Sequence, residues 1–180
     1  YYLDYKSILR LATTNQMMNN SMKRNATTLT GYHRAIYSTY TGAKTVNFWL
    51  YNDSFDLPPN VTDLDARCCD VTSIERIPKS VTKLTLSATI NASDVDFTNC
   101  LPDSLVYLSV WAMGLTHHLK RLVNLETLIV GSFSHLEKIE DCFIPPTLTR
   151  FEMLGYMPIK SPFRLILPKL PNTLENLRLP

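Results

Sequence analysis

Few residues in this chain have the types and spacing that chemistry requires. His117-His118 is the adjacent histidine pair, and neighbours on a helix or strand cannot both face one site. The pair therefore reads as part of a solvated crossing, not as two metal ligands. Cys68, Cys69, Cys100 and Cys142 form no regular framework and no Cys-x-x-Cys pair, so they read as free thiols. Glu137, Glu140 and Asp141 with Lys138 make a solvated charge run rather than paired carboxylates for acid–base work. The sequence holds no Gly-x-x-x-x-Gly-Lys, Gly-x-Gly-x-x-Gly, Gly-x-Ser-x-Gly or His-Glu-x-x-His pattern. Five glycines leave no phosphate-cradling loop. No catalytic set, cofactor or metal follows from these residues, and the expectation is a protein that is not an enzyme.

The chemistry that remains is that of binding. Tyr107, Trp111, Ile129 and Leu154 are large aromatic and aliphatic residues, and Arg67, Lys83, Arg150 and Glu152 are charges at related spacings. Trp, Tyr and Arg often carry the energy of protein interfaces, in a desolvated centre ringed by polar groups. Such a set works only if the chain brings the eight residues to one face, so the elements that position them decide the reading.

Those elements are written as a repeated phrase. Its clearest copies begin at Ile77-Pro78-Lys79-Ser80-Val81, at Leu101-Pro102-Asp103-Ser104-Leu105 and at Leu170-Pro171-Asn172-Thr173-Leu174. Each continues x-x-Leu-x-apolar. Looser copies run from Leu57 to Ala66, from Arg121 to Val130 without the proline, and from Ile144 to Met153. The period of about 20 to 26 residues marks a solenoid. Leu-x-Leu alternates in and out as a short strand with one buried face must. The apolar residue three before it brings the entering turn into the core. The proline fixes its own φ and holds its predecessor extended. Ser80, Ser104, Thr147 and Thr173 are expected to hydrogen-bond backbone groups of their turn.

If Leu84, Leu108, Leu128, Phe151 and Leu177 point inward, the outward face carries their neighbours. These are Asp63, Asp65 and Arg67; Lys83, Thr85 and Ser87; Tyr107, Ser109 and Trp111; Thr127, Ile129 and Gly131; Arg150, Glu152 and Leu154; Asn176 and Arg178. Charges fall at both ends of the row, and Tyr107, Trp111, Ile129 and Leu154 fall in its centre.

The phrase resembles the Pro-containing leucine-rich repeats of two groups, the FNIP-repeat proteins of amoebae and giant viruses and the LPX-type repeats of bacterial effectors. It departs from them in two ways. The Phe-Asn of FNIP repeats is missing, and Cys69, Thr89, Met113, Phe133 and Tyr156 stand where the usual ladder asparagine would be. Apolar packing is expected to replace that ladder. The resemblance implies an α/β leucine-rich-repeat solenoid with a parallel, concave β-sheet of six or seven strands and irregular or short helical convex crossings.

Before the repeats, Leu3 to Arg24 reads as a helix with Asp4 as N-cap, and Tyr32 to Tyr40 as a second short one. Thr41 to Lys44 reads as a turn, and Val46, Phe48 and Leu50 as the first strand. Two parts follow: an N-terminal helical cap over residues 1–44, and the solenoid over 45–180. The stretch from Leu3 to Asn15 also resembles the second half of an F-box. That implies substrate recognition in a ubiquitin-ligase adaptor. The rival is a secreted, surface or effector protein whose repeats bind host or extracellular protein, with any catalytic domain elsewhere in the chain.

Composition agrees with one globular domain: 45% hydrophobic and 19% charged residues, with a formal net charge of +2. That charge implies no nucleic-acid partner, and no apolar run reaches the length of a membrane span. The chain begins at Tyr1 and ends at Pro180 within a repeat, so a monomer within a larger chain is expected. The free cysteines favour an intracellular (cytoplasmic) location, whereas sequons at Asn19, Asn25, Asn52, Asn60 and Asn91 point outside the cell. The favoured function is non-enzymatic recognition of a protein partner on the concave face.

Overall fold

The computed structural model describes residues 24–31, 40–49, 57–67, 77–87, 101–110, 119–131, 144–154 and 169–179, with the side chains of 31, 48, 49, 67, 87 and 120 excepted. Every described strand belongs to one parallel sheet. They are β1 (Thr28–Gly31), β2 (Thr45–Trp49), β3 (Asp63–Arg67), β4 (Lys83–Ser87), β5 (Tyr107–Val110), β6 (Thr127–Gly131), β7 (Arg150–Leu154) and β8 (Asn176–Arg178). They lie side by side in sequence order. Parallel neighbours need a crossover of a dozen or more residues. Here the register advances by seventeen residues at Thr28↔Thr45 and by twenty-six at Arg150↔Asn176, enough for one return each. The result is a β-sheet solenoid, with little helix among the described residues.

The register follows the phrase. Leu29, Val46, Leu64, Leu84, Leu108, Leu128, Phe151 and Leu177 form one inward column across the sheet. A second inward column, Ala66, Leu86, Val110, Val130 and Met153, runs parallel to it. The apolar residue of each turn forms a third: Ala43, Val61, Val81, Leu105, Leu125 and Leu148, all buried. Fully burying one such aliphatic side chain contributes about 1.5 to 3 kcal/mol, and no strand could do so without the next.

Each turn closes in the same way. The N–H of Val61, Val81, Leu105, Leu125, Leu148 and Leu174 donates back to the carbonyl of Pro58, Pro78, Pro102, Leu122, Pro145 and Pro171, at 3.0–3.3 Å. The residue that opens this turn needs no N–H, so proline fits there. Leu122 is the exception, and its N–H is used: it donates to the Leu119 carbonyl at 2.9 Å, closing a 3-10 turn over Leu119–Arg121. This crossing therefore ends in a short helical turn, of the kind expected for the crossings.

Three expectations are corrected. The sheet has eight described strands, not six or seven, and it begins at Thr28 rather than at Val46. Within the expected helical cap over 1–44, Thr28–Gly31 is a strand paired with β2, and Tyr40 to Ala43 is a turn of the repeat type, Ala43 N–H to Tyr40 carbonyl at 3.0 Å. Gly42 hid that turn from the phrase. It stands where other units carry Ser, Thr or Asn, and a Cβ there would run into the Arg24 carbonyl. The helices expected over 3–24 and 32–40 fall almost wholly outside the described residues.

The third correction concerns the hydroxyls. Ser80 donates to the carbonyls of Pro59 and Val61 at 3.0 and 2.7 Å, and Ser104 to those of Lys79 and Val81 at 2.6 and 2.7 Å. Thr147 donates to the Leu125 carbonyl at 2.9 Å, and Thr173 to those of Pro146 and Leu148 at 2.7 and 2.9 Å. Every one of these bonds reaches the preceding unit. The turn's own first carbonyl is already taken by the closing N–H, whereas stacking at about 4.8 Å brings the previous turn's carbonyls within reach. A ladder of hydrogen bonds thus runs through the turns that enter the strands, whereas Cys69, Thr89, Met113, Phe133 and Tyr156, where apolar packing is expected to replace the usual ladder, lie outside the described residues.

Candidate functional site

The outward side chains of the sheet form rows set by the register. One row runs Asp63–Lys83–Tyr107–Thr127–Arg150–Asn176. The next runs Asp65–Thr85–Ser109–Ile129–Glu152–Arg178. In a third, Gly131 pairs with Leu154, and Arg67 with Ser87. Tyr107, Ile129 and Leu154 therefore lie one row and one strand apart in turn, along a diagonal. Each is half-buried, with surface left to offer. Trp111 lies outside the described residues, as does the side chain of Arg67.

The charges are tied down within the chain. Lys83 Nζ lies 3.2 Å from Asp63 Oδ2 and 5.5 Å from the centre of the Tyr107 ring, so a carboxylate and an aromatic face hold it on two sides. Its side chain is still 52% exposed, so the ammonium keeps donors toward solvent. Arg150 donates from Nε to Glu152 Oε1 at 2.8 Å, and its Nη2 donates to the same oxygen. These residues are two apart on one strand, which puts both on one face. Glu152 is only 9% exposed, deeper than a rim residue, while half of the Arg150 side chain remains accessible. The carboxylate thus orients the guanidinium of a half-exposed side chain.

Ser109, two residues after Tyr107 on β5 and in register with Ile129 of β6, is buried at 5% exposure. Ser109 and Glu152, on either side of Ile129 in the middle row, lie deeper than the half-buried Ile129 between them. A surface of this kind offers half-buried apolar and aromatic area between two pre-oriented cations. Among the described residues of this face no nucleophile is paired with a base. Among the described residues no group of three His, Cys, Asp or Glu side chains is placed to hold a metal ion. His117, His118 and the four cysteines lie outside the described residues. No described helix is long and apolar enough to cross a membrane.

Two features of the face were missed in the sequence. Asp63 was placed there but not as the partner of Lys83, and the depth of Glu152 gave no signal. The first was available in the repeat spacing, since Asp63 and Lys83 hold the same position in successive units. The second depends on what packs around the strand, which no local pattern records. Compared with known proteins, the chain matches no family model, no curated protein and no solved structure.

Proposed function

We propose that the protein is a non-enzymatic recognition module that binds another protein through the outward face of its sheet. The observation that carries this reading is the diagonal Tyr107–Ile129–Leu154 flanked by the clamped cations Lys83 and Arg150. Cations held by neighbouring carboxylates lose little entropy on binding, and half-buried aromatic and aliphatic surface loses water readily. A solenoid presents such a face at fixed spacing, which suits a partner read over several strands. Within this reading the units are leucine-rich repeats of the Pro-containing type. The role is substrate recognition in a ubiquitin-ligase adaptor, with the F-box resemblance of residues 3–15 as its support.

The test is site-specific photocrosslinking in cells, with the photoreactive residue placed at Ile129 or, as a control on the turn side, at the exposed Val123. A partner band should form from position 129 and be lost with Tyr107→Ala, while circular dichroism of that variant stays unchanged. Equal crosslinking from both positions, or none from 129, would remove the outward face as the site.

A further inference from the structure

The two ion pairs on the outward face are layered in depth. At Lys83–Asp63 the cation's side chain is 52% exposed and the carboxylate's 32%; at Arg150–Glu152 the figures are 51% and 11%. In both, the acid lies deeper than its base. The formal charges of these four residues cancel, yet what they show to solvent is positive. A basic partner would have to displace the resident cations to reach either acid.

The separation of the cations follows from the register. Lys83, Tyr107, Thr127 and Arg150 are successive members of one row, so the two cations stand three strands apart. At about 4.8 Å per strand that is about 14 Å. An extended peptide lying along the row advances about 3.4 Å per residue and alternates its side chains. Its residues i, i+2 and i+4 face the sheet together, with i and i+4 about 14 Å apart. The residue between them falls over Tyr107 and Thr127, both half-buried, with Ile129 in the next row.

We infer that the outward face takes an extended acidic segment of another protein, of the pattern acidic-x-apolar-x-acidic. One carboxylate meets Lys83, the other meets Arg150, and the apolar side chain covers Tyr107 and reaches toward Ile129. Asp63 flanks Lys83 on the far side of the row. A further acid beyond Lys83 is therefore repelled, which confines the charged part of the segment to β4 to β7. Carboxylates fit better than phosphorylated residues, because a dianion on Lys83 would stand beside the Asp63 carboxylate. This pattern rests on the recognition role proposed above and adds the chemistry of the partner.

The test titrates two labelled peptides of equal composition and charge with the full chain and reads fluorescence anisotropy. One has the core Glu-Thr-Leu-Thr-Glu; the other has Thr-Glu-Leu-Glu-Thr, which halves the distance between the acids. The first should bind at least about tenfold tighter, and Lys83→Gln should cut that ratio to below about threefold. Circular dichroism of Lys83→Gln should match the parent, since an exposed ion pair holds little of the fold. Equal affinities, no binding of either peptide, or tighter binding of a single-stranded oligonucleotide of the same charge overturns the acidic pattern. Crosslinking from position 129 separates the two readings. A partner band there with no preference between the peptides removes only the acidic pattern, whereas absence of the band removes the face as well.

Discussion

Ser104 shows what one side chain does for the stack. Its hydroxyl donates to Lys79 and Val81 in the unit before it, at 2.6 and 2.7 Å, and so joins two units at their turn. Ser104→Ala leaves those carbonyls without that donor and should lower stability by about 1 to 2 kcal/mol. The urea midpoint should fall with the slope unchanged, and Ser104→Thr should recover most of the loss, since Thr147 and Thr173 make the same bond. A midpoint unmoved by Ser104→Ala would remove the ladder from the account. The same position explains a sequon. Asn60 donates from Nδ2 to the Thr41 carbonyl at 3.3 Å, and Thr62 donates to the Lys44 carbonyl at 3.4 Å. Asn25 and Thr27 stand in the same phase by the register of β1 with β2. Asn-x-Thr at these two places is spelled by the repeat, so neither sequon argues for a glycosylated surface. Arg150 has a second role beside offering donors. Arg150→Ala takes from the nearly buried Glu152 carboxylate its ion-pair partner, with Arg178 of the next strand left in register beside it, at a cost of about 1 to 3 kcal/mol, more than an exposed pair is worth. Adding Glu152→Gln should restore part of the thermal midpoint. A loss below about 0.5 kcal/mol would mean that the pair is held only at the surface.

At the scale of the element, strand and turn depend on each other. The five described prolines that open a turn need no N–H; of the two described turns opened by another residue, Tyr40 and Leu122, the second spends its spare N–H on a 3-10 turn. The strands are short, three to five residues each, so their stability comes from neighbours above and below. Leu108 is fully buried between Leu84 and Leu128, and Leu108→Ala should cost about 2 to 5 kcal/mol through lost burial and the cavity left behind. Leu179 is 40% exposed, so Leu179→Ala should cost less than about 1 kcal/mol. Chemical denaturation of the two variants gives the comparison. Equal losses would contradict packing between nearest neighbours.

For the whole molecule, the inward column implies a gradient over residues 1–180, from Leu29, Leu84 and Leu108, at most 2% exposed, to Leu177 of β8, 45% exposed. Local opening should begin where apolar contacts are fewest. Native-state hydrogen exchange should therefore show the amides of β8 opening first, β7 next, and the central β4 to β6 last, with separations of about 1 kcal/mol or more between the end and the centre. Uniform protection across the sheet would mean one cooperative unit.

Most of the stack was legible in the chain itself. Leucines two apart, a proline six before the first of them and a period near the low twenties dictate short parallel strands, because a single unit cannot bury its apolar edge. The alternation also placed Lys83, Tyr107, Ile129, Arg150, Glu152 and Leu154 on one side. The first strand was not legible, since Gly42 replaces the marker residue to make room for the Arg24 carbonyl. Only the tertiary structure decided which unit each hydroxyl bonds, because stacking distance and the competing turn N–H settle that choice. It also decided that Glu152 lies buried under Arg150 while Lys83 stays exposed. Both are outward residues of strands, and their difference in depth comes from neighbouring units that the local pattern does not encode.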